Sequence, residues 1–227
     1  MAKEPSYRLP NDQQHIAIIG RNGTGKTLAA LWHLSQRDLR RMPWVIVDFK
    51  RDEHINAIKK AQYIETGVIP KKPGVYIVQP NASDPQPLAE TFSQAYEKGD
   101  TGFWIDEGFL MGRNKEVEER FIDLLTQGRS KHIPIIVLVQ RPVWVSRFVF
   151  SESSFFQMFH LQDGRDVNTV SEVVQDPSAF RRLPDFHSSY YDVGADEVTF
   201  LSPVPPEQEI LSSIDSQLPE PSRLRFI

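Results

Sequence analysis

The chain has 227 residues, a hydrophobic fraction of 40% and a formal net charge of −4. This length allows one domain, or at most two, with a substantial buried core, and we expect one. The sequence contains no cysteine, which excludes disulfides and thiolate-bound metals. We find no signal peptide or membrane span, so we expect cytosol-like conditions and no direct membrane insertion. Since the net charge is slightly negative, contact with nucleic acid would depend on local basic loops or on topological enclosure.

Residues 20–27 form the first motif, Gly-Arg-Asn-Gly-Thr-Gly-Lys-Thr. It follows an apolar run at 16–19, which we interpret as a buried strand, and it opens a helical pattern. A strand, a glycine-rich loop and a helix in this order predict a phosphate-binding loop, in which Lys26 neutralises β- and γ-phosphate oxygens and Thr27 holds Mg²⁺. We therefore predict a nucleoside triphosphate site, with ATP and Mg²⁺ as cofactors. Its binding residues are Gly20, Arg21, Asn22, Gly23, Thr24, Gly25, Lys26 and Thr27.

Further short apolar runs alternate with helical patterns along the chain. The runs are at 44–48, 74–78, 102–106 and 135–139, and each indicates a buried strand. Between them, hydrophobic residues recur at helical spacing at 88–96 and 117–125. This alternation is typical of a mostly parallel sheet with helices on both faces. It therefore predicts an α/β fold.

The last part of the chain has a different pattern. Residues 190–193 and 197–201 predict a β-hairpin, because two β-rich runs are separated by a short turn segment. The segment 203–227 is rich in proline and has no clear period. We expect it to be an extended tail, packed on a neighbour or loose. The predicted organisation is a phosphate-loop domain over residues 1–202 and an extended C-terminal tail over 203–227.

An Asp-Glu pair at the end of the run 102–106 forms the second motif. Asp106 would end a buried strand beside the phosphate loop, which is where Mg²⁺ is held through its water shell. Glu107 follows directly and would polarise a water for in-line attack on the γ-phosphate. An isolated pair of this kind would be a solvated strand end or a helix N-terminus. The phosphate loop upstream favours the catalytic interpretation.

A third group of residues narrows the family. Arg129 ends an amphipathic helix, the following strand ends in Gln-Arg-Pro at 140–142, and Asp-Phe-Lys at 48–50 follows the second strand. With the phosphate loop and the Asp-Glu strand, this order resembles that of the FtsK/HerA superfamily of ring-forming DNA translocases. The resemblance covers residues 13–201 and implies a RecA-like P-loop NTPase core.

Within that superfamily, a chain of this length without visible large additions is most similar to the genome-packaging ATPases of membrane-containing, double-jelly-roll viruses such as the tectiviral phages. The resemblance implies an ATPase that translocates double-stranded DNA into a preformed procapsid, with residues 1–202 as its motor domain. It also implies a homo-oligomeric ring, with a hexamer favoured, that docks on procapsid or portal-vertex proteins. The protein would then occur in the virion, at the packaging vertex, and in the host cytoplasm.

The resemblance also implies roles for individual side chains. Gln140 would sense the γ-phosphate or its attacking water, and the alternative is a polar strand end. Arg129 is similar to the superfamily's arginine finger, which is donated across a subunit boundary. Its alternative is an ordinary surface arginine near a helix C-terminus. Arg141 and Arg147 flank a loop that would face the pore and contact the DNA backbone without reading bases, or else they are structural.

Two other functions are compatible with these motifs. One is a cellular or plasmid translocase, or a filamentous-phage assembly motor. The other is a nucleotide-dependent switch or small kinase that does not act on DNA. Against the second, the sequence contains no Asn-Lys-x-Asp guanine-reading motif, and Glu107 with Gln140 suits hydrolysis. Because no residue pattern specifies a purine edge, we expect that ATP is used and that GTP is tolerated to some extent.

Overall fold

A nine-stranded sheet runs through the computed structural model, which describes residues 7–81 and 83–220. The strands in chain order are β1 (His15–Ile19), β2 (Pro43–Val47), β3 (Gln62–Tyr63), β4 (Gly74–Val78), β5 (Gly102–Ile105), β6 (Ile135–Val139), β7 (Ser153–Met158), β8 (Ser188–Asp192) and β9 (Glu197–Leu201). In space their order is β3-β4-β2-β5-β6-β1-β7-β8-β9. Neighbouring strands are parallel from β3 to β7, and β8 and β9 add an antiparallel hairpin at one edge.

Helices cover both faces of this sheet. They are α1 (Lys26–Ser35), α2 (Glu53–Asn56), α3 (Gln86–Lys98), α4 (Lys115–Gln127), α5 (Phe148–Ser151), α6 (Gly164–Ser171) and α7 (Glu207–Gln217). Alternate residues of β1 point to opposite layers, as the period of a strand requires. Ala17 and Ile19 belong to the core cluster that contains residues of α3 to α6, while Ile16 and Ile18 pack in the cluster with α1, α2 and α7. Within the described ranges, no helix has the length and apolarity needed to cross a membrane.

The fold class predicted from the sequence is confirmed. The apolar runs form β2, β4, β5 and β6, the helical patterns form α3 and α4, and the predicted hairpin is β8–β9. The parallel strands β1, β2 and β6 are buried along their whole length, which explains why they read as continuous apolar runs. The carboxyl ends of β1, β2, β5 and β6 meet at one edge of the sheet, because these strands are adjacent and parallel.

The predicted extended tail is wrong for residues 207–217, which form the helix α7. Its buried residues Ile210 and Ile214 pack in the same core cluster as α1. The sequence pattern was weak because these isoleucines stand in a polar segment, and a helix this short depends on tertiary packing. Residues 221–227 lie outside the described residues. The division of the chain at residue 202 stays a prediction.

Side-chain hydrogen bonds attach α7 to the rest of the fold at both ends. Near its end, Gln217 donates from Nε2 to the Ser35 carbonyl over 3.0 Å, and its Oε1 accepts from the Leu39 amide over 3.2 Å. The first of these bonds satisfies a carbonyl that the end of α1 leaves unpaired. At the start of α7, Glu207 Oε1 lies 2.7 Å from Nδ1 of His54 on α2. The C-terminal helix is thus an integral part of the layer that contains α1.

The contact between His54 and Glu207 predicts a pH-dependent contribution to stability. Burial lowers the pKa of His54, but the hydrogen bond and the charge of Glu207 outweigh it and raise that pKa above the ordinary value of 6.5. A pKa raised in the folded state stabilises the fold fully below about 6.5, and this stabilisation is lost as the pH rises through the folded pKa. We expect Glu207→Gln to lower the Tm on the acidic side of that window and to have little effect above it.

The measurement is thermal unfolding of the parent and the variant at a series of pH values on both sides of neutrality. Glu209→Gln, in the same first turn of α7, is the matched control and should keep the parent's pH profile. If the Tm difference between Glu207→Gln and the parent is the same at every pH, the contact is not the titrating one.

Candidate active site

A cleft of about 440 Å³ opens at the carboxyl edge of the parallel strands. It is lined by Lys26 and Thr27 from the start of α1, by Asp106 after β5 and by Gln140 after β6. Parallel strands bring these distant segments together because their carboxyl ends share an edge. The structure therefore brings together the predicted phosphate loop, the predicted Mg²⁺ ligand and Gln140.

Residues 20–25 form a tight turn between β1 and α1 that requires glycine at specific positions. Gly25, directly before α1, has φ +100° and a left-handed backbone conformation. Residues with a side chain rarely adopt this conformation. A Cβ on Gly20 would lie 2.7 Å from the Cβ of Phe159. No side chain caps the first turn of α1, so its amide groups and its dipole remain available to an anion. Of the predicted binding residues, the cleft is lined by Asn22, Gly23, Gly25, Lys26 and Thr27.

The other loop residues shape the turn from within. The Arg21 carbonyl accepts hydrogen bonds from Thr24 Oγ1 and from Lys26 Nζ, both at 2.8 Å. Burial lowers the pKa of Lys26 to about 8, and the nearby charge of Lys50 adds to this effect. A phosphate group in the cleft would provide the negative charge that favours the protonated amine. The loop thus places a partly desolvated lysine where a triphosphate would bind.

The chemistry of Asp106 fits a bound divalent cation. Its carboxylate is buried, and its Oδ2 has no hydrogen-bond partner among the described residues. Burial, together with the smaller effect of the negative charges of Asp52, Asp48 and Glu107, raises the pKa of Asp106 to about 7, although the positive charge of Lys50 opposes the shift. A nearby cation would favour the ionised form. Because Mg²⁺ prefers oxygen ligands, the Asp106 carboxylate together with the Thr27 hydroxyl fits this ion.

Three neighbouring strands converge on the side chain of Glu107, which is buried beside β5. Gln140, after β6, donates from Nε2 to Glu107 Oε2 over 3.0 Å. Lys50, after β2, forms an ion pair with the same oxygen. This contact follows from the strand order β2-β5-β6, which puts the ends of β2 and β6 on either side of β5. Glu107 is thus held by one positive charge and one amide donor.

Some residues of the cleft were outside the predicted site. Lys50, Asp52 and His54 come from the segment after β2, and Phe186 comes from the loop before β8. For Lys50 the sequence did contain a signal, since it ends the Asp-Phe-Lys motif that resembles one of the superfamily. For Phe186 the sequence contained no such signal, because a single aromatic residue in a loop has no pattern that marks a binding site.

Arg129 lies at the edge of the sheet opposite the cleft of the same chain. It is exposed in the 3-10 turn Gly128–Lys131 after α4. Burial is the main cause of the lowered pKa of His15, and the positive charge of nearby Arg129 lowers that pKa further. His15 begins β1, at the edge of the sheet opposite the phosphate loop. The five residues of β1 span about 16 Å at roughly 3.3 Å per residue. The structure therefore does not bring Arg129 to the nucleotide cleft of the same chain.

The two arginines predicted to contact DNA have different environments. Arg141 forms ion pairs with Asp163 and Asp166 at 2.6 and 2.8 Å, and its guanidinium lies 5.0 Å from the Trp144 ring centre. These contacts fasten the segment after β6 to the start of α6. Arg147 is exposed at the start of α5. DNA contact stays a prediction for both residues, and the geometry favours Arg147.

Comparison with known proteins identifies the family. No protein-family model matches the sequence. However, the DNA packaging ATPase P9 of Enterobacteria phage PRD1 is 42% identical over 220 residues, and the alignment covers 92% of this chain and 96% of that protein. The chain belongs to the P9 family of DNA packaging ATPases. The resemblance to packaging ATPases inferred from the motifs is therefore confirmed.

Solved structures share the fold of this P9 family member at low sequence identity. The genome packaging NTPase B204 of Sulfolobus turreted icosahedral virus 2, in complex with AMPPCP, has a TM-score of 0.67 and 17% identity, covering 86% of this chain and 100% of that one. ATPases 2 and 3 of Thermomonospora curvata EccC give a TM-score of 0.64 at 13% identity, over 91% of this chain and 43% of that one. At these identities the similarity concerns the fold, and it confirms the P-loop core.

Proposed function

We propose that this chain hydrolyses ATP to move double-stranded DNA into a preformed procapsid. The observation that carries this proposal is the cleft lined by Lys26, Asp106 and Gln140, with buried Glu107 hydrogen-bonded to Gln140, in a chain 42% identical to the DNA packaging ATPase P9. The phosphate loop alone would suit any nucleotide-binding protein. The added general-base candidate and its amide neighbour favour hydrolysis over a switch or a kinase.

ATP would bind with its triphosphate on residues 20–27. Lys26 would give up its hydrogen bond to the Arg21 carbonyl and donate to β- and γ-phosphate oxygens instead. The first amides of α1 would add hydrogen bonds, and the dipole of the helix would attract the negative charge. Thr27 and Asp106 would hold Mg²⁺. The ion would supply charge neutralisation at the phosphates.

Hydrolysis would use the two side chains that already contact each other. Glu107 accepts a proton from the water that attacks the γ-phosphate, as a general base does. Gln140, whose amide lies 3.0 Å from Glu107 Oε2, orients that water or senses the γ-phosphate. Both come from the ends of adjacent strands, so their separation is fixed by the sheet.

Subunits would assemble into a ring, with a hexamer favoured, and each nucleotide would lie between two of them. Arg129 of one subunit would stabilise the charge that builds up at the neighbour's phosphate, which couples hydrolysis to relative subunit rotation. Arg147, and less directly Arg141, would then contact the DNA backbone in the pore. The ring would dock on procapsid or portal-vertex proteins, in the host cytoplasm and afterwards in the virion at the packaging vertex.

The test combines the ATPase rate with the mass of the assembly. Double-stranded DNA should stimulate hydrolysis, and a non-hydrolysable ATP analogue should shift the mass from monomer to ring. Uptake of DNA by procapsids lacking this protein then separates a packaging motor from another translocase of the superfamily. A rate that does not respond to DNA, from a protein that stays monomeric with nucleotide, would contradict the proposal.

Lys26→Ala should abolish nucleotide binding. The change removes the positive charge that the loop directs at the phosphates, while the surrounding turn is held by the Thr24 hydroxyl. Binding is measured by titration calorimetry with ADP and with a non-hydrolysable ATP analogue. Lys59→Ala removes an exposed lysine of the same charge and is the matched control. Parent-like affinity of the Lys26 variant would show that the triphosphate binds elsewhere.

A further inference from the structure

An apolar recess of about 190 Å³ adjoins the phosphate loop. It is lined by Gly25, Leu28, Phe159, Phe186, Pro203 and Val204, none of which has a polar side chain. Gly25, Leu28 and Phe186 also line the 440 Å³ cleft, so the recess and the triphosphate cleft are continuous. The phosphate chemistry described above makes no use of this recess.

Phe186 is the lining residue with the most unusual exposure and backbone conformation. Its side chain is 54% exposed, although a large aromatic side chain is normally buried. Its backbone has φ +61°, a left-handed conformation that is costly for a bulky residue. The ring lies directly over the loop, since a Cβ on Gly25 would be 3.3 Å from Phe186 Cδ1. Strain and exposure combined at a ligand cleft indicate a functional position.

Two other lining residues, Leu28 and Val204, tie the recess to the helix that follows the phosphate loop. Leu28 lies in the first turn of α1, directly after Thr27. Val204 follows β9 and packs against the core cluster that contains α1. Just beyond it, α7 is fastened to α1 through Ile210 and Ile214. The recess therefore keeps a fixed position relative to the phosphate loop.

We propose that this recess binds the nucleobase of the nucleotide, stacked on the ring of Phe186. The inference rests on the proposed ATP site, because Gly25 and Leu28 flank Lys26 and Thr27. A nucleotide whose triphosphate lies on the loop can thus place its base in the adjoining recess. Apolar walls and an aromatic ring suit the flat faces of a purine. No lining side chain carries a hydrogen-bond donor or acceptor, so these side chains do not distinguish adenine from guanine.

The test compares binding of ATP with binding of inorganic triphosphate, which has no base. Phe186→Ala should weaken the affinity for ATP by roughly tenfold to a hundredfold, the range reported for base–aromatic stacking. The same substitution should weaken the affinity for GTP by a similar factor and leave the affinity for inorganic triphosphate unchanged. Phe186→Trp should restore ATP affinity. Tyr63→Ala, an exposed aromatic residue on β3 at the other edge of the sheet, is the matched control.

Val204→Trp tests the same recess at another of its lining residues. The larger side chain should fill the recess and weaken ATP binding, again without an effect on triphosphate. Thermal unfolding of each variant checks the fold, and the Tm of Phe186→Ala should stay near the parent value because the ring is exposed.

The outcomes separate the base site from the phosphate site. Parent-like ATP affinity in Phe186→Ala and Val204→Trp would overturn the base site and leave the proposed ATPase intact. An equal loss of ATP and triphosphate binding would also overturn it, since Phe186 would then only shape the loop. If the parent binds neither ATP nor triphosphate, the proposed function fails with it.

Discussion

Replacement of Glu107 by glutamine should remove ATP turnover and leave ATP binding intact. Glutamine keeps the shape of the side chain and can still accept the hydrogen bond from Gln140 through its carbonyl oxygen. It cannot take the proton of the attacking water, and a general base contributes a factor of about 10² to 10⁴ to the rate. Lys26 and Asp106, which would hold the triphosphate and its metal, are unchanged. We therefore expect kcat to fall by that factor, with the affinity for ATP near the parent value.

Steady-state hydrolysis and equilibrium binding of ATP are measured on the same preparation. Glu119→Gln, at an exposed position on α4, removes an equal charge outside the cleft and should behave as the parent. Hydrolysis by Glu107→Gln at near the parent rate would show that the assigned base is wrong. Loss of ATP binding would instead mean that the Glu107–Lys50 ion pair is needed to build the cleft.

Arg129→Ala should lower the ATPase rate of the assembled protein by about 10³ to 10⁵, the effect of an arginine finger in phosphoryl transfer. Because Arg129 lies at the amino edge of the sheet, beyond the length of β1 from the phosphate loop of its own chain, we expect it to act on a neighbouring subunit. A planar guanidinium suits this role because it stays charged and can engage phosphate oxygens in two places. Arg120→Ala, on the preceding helix α4, is the matched control.

Mixing Arg129→Ala subunits with Lys26→Ala subunits tests action in trans. Each variant is inactive alone, but a mixed ring can form an intact site where a parent phosphate loop meets a parent Arg129. Some activity should therefore return. If co-assembled rings stay inactive, either Arg129 acts within its own subunit or hydrolysis needs a fully intact ring. Covalently linked dimers with one lesion in each half separate these two explanations.

The sequence was sufficient to locate most strands of the sheet and the local motifs. Strands buried on both faces, such as β1 and β6, must be continuously apolar, and such runs can be read without knowledge of their partners. The phosphate loop at 20–27 is a contiguous motif whose neighbours along the chain already set its conformation. The Asp106–Glu107 pair could be interpreted because it ends one of those runs.

Features that depend on distant contacts were not predictable from the sequence. The Lys50–Glu107–Gln140 arrangement needs the strand order, which no local pattern specifies. The ion pairs of Arg141 are formed with Asp163 and Asp166, at the start of α6, which comes later in the chain. The helix α7 is stabilised by its packing on α1, and its own composition is too polar to indicate a buried face.

The pairing of α7 with α1 connects the C-terminal helix to the phosphate loop. α1 carries Lys26 and Thr27 at its first turn, and Gln217 braces its other end, about 15 Å away at 1.5 Å per residue over ten residues. A shift of α7 would tilt α1 and displace both side chains from the triphosphate. An affinity tag or fusion partner that displaces α7 would therefore also disturb the phosphate loop.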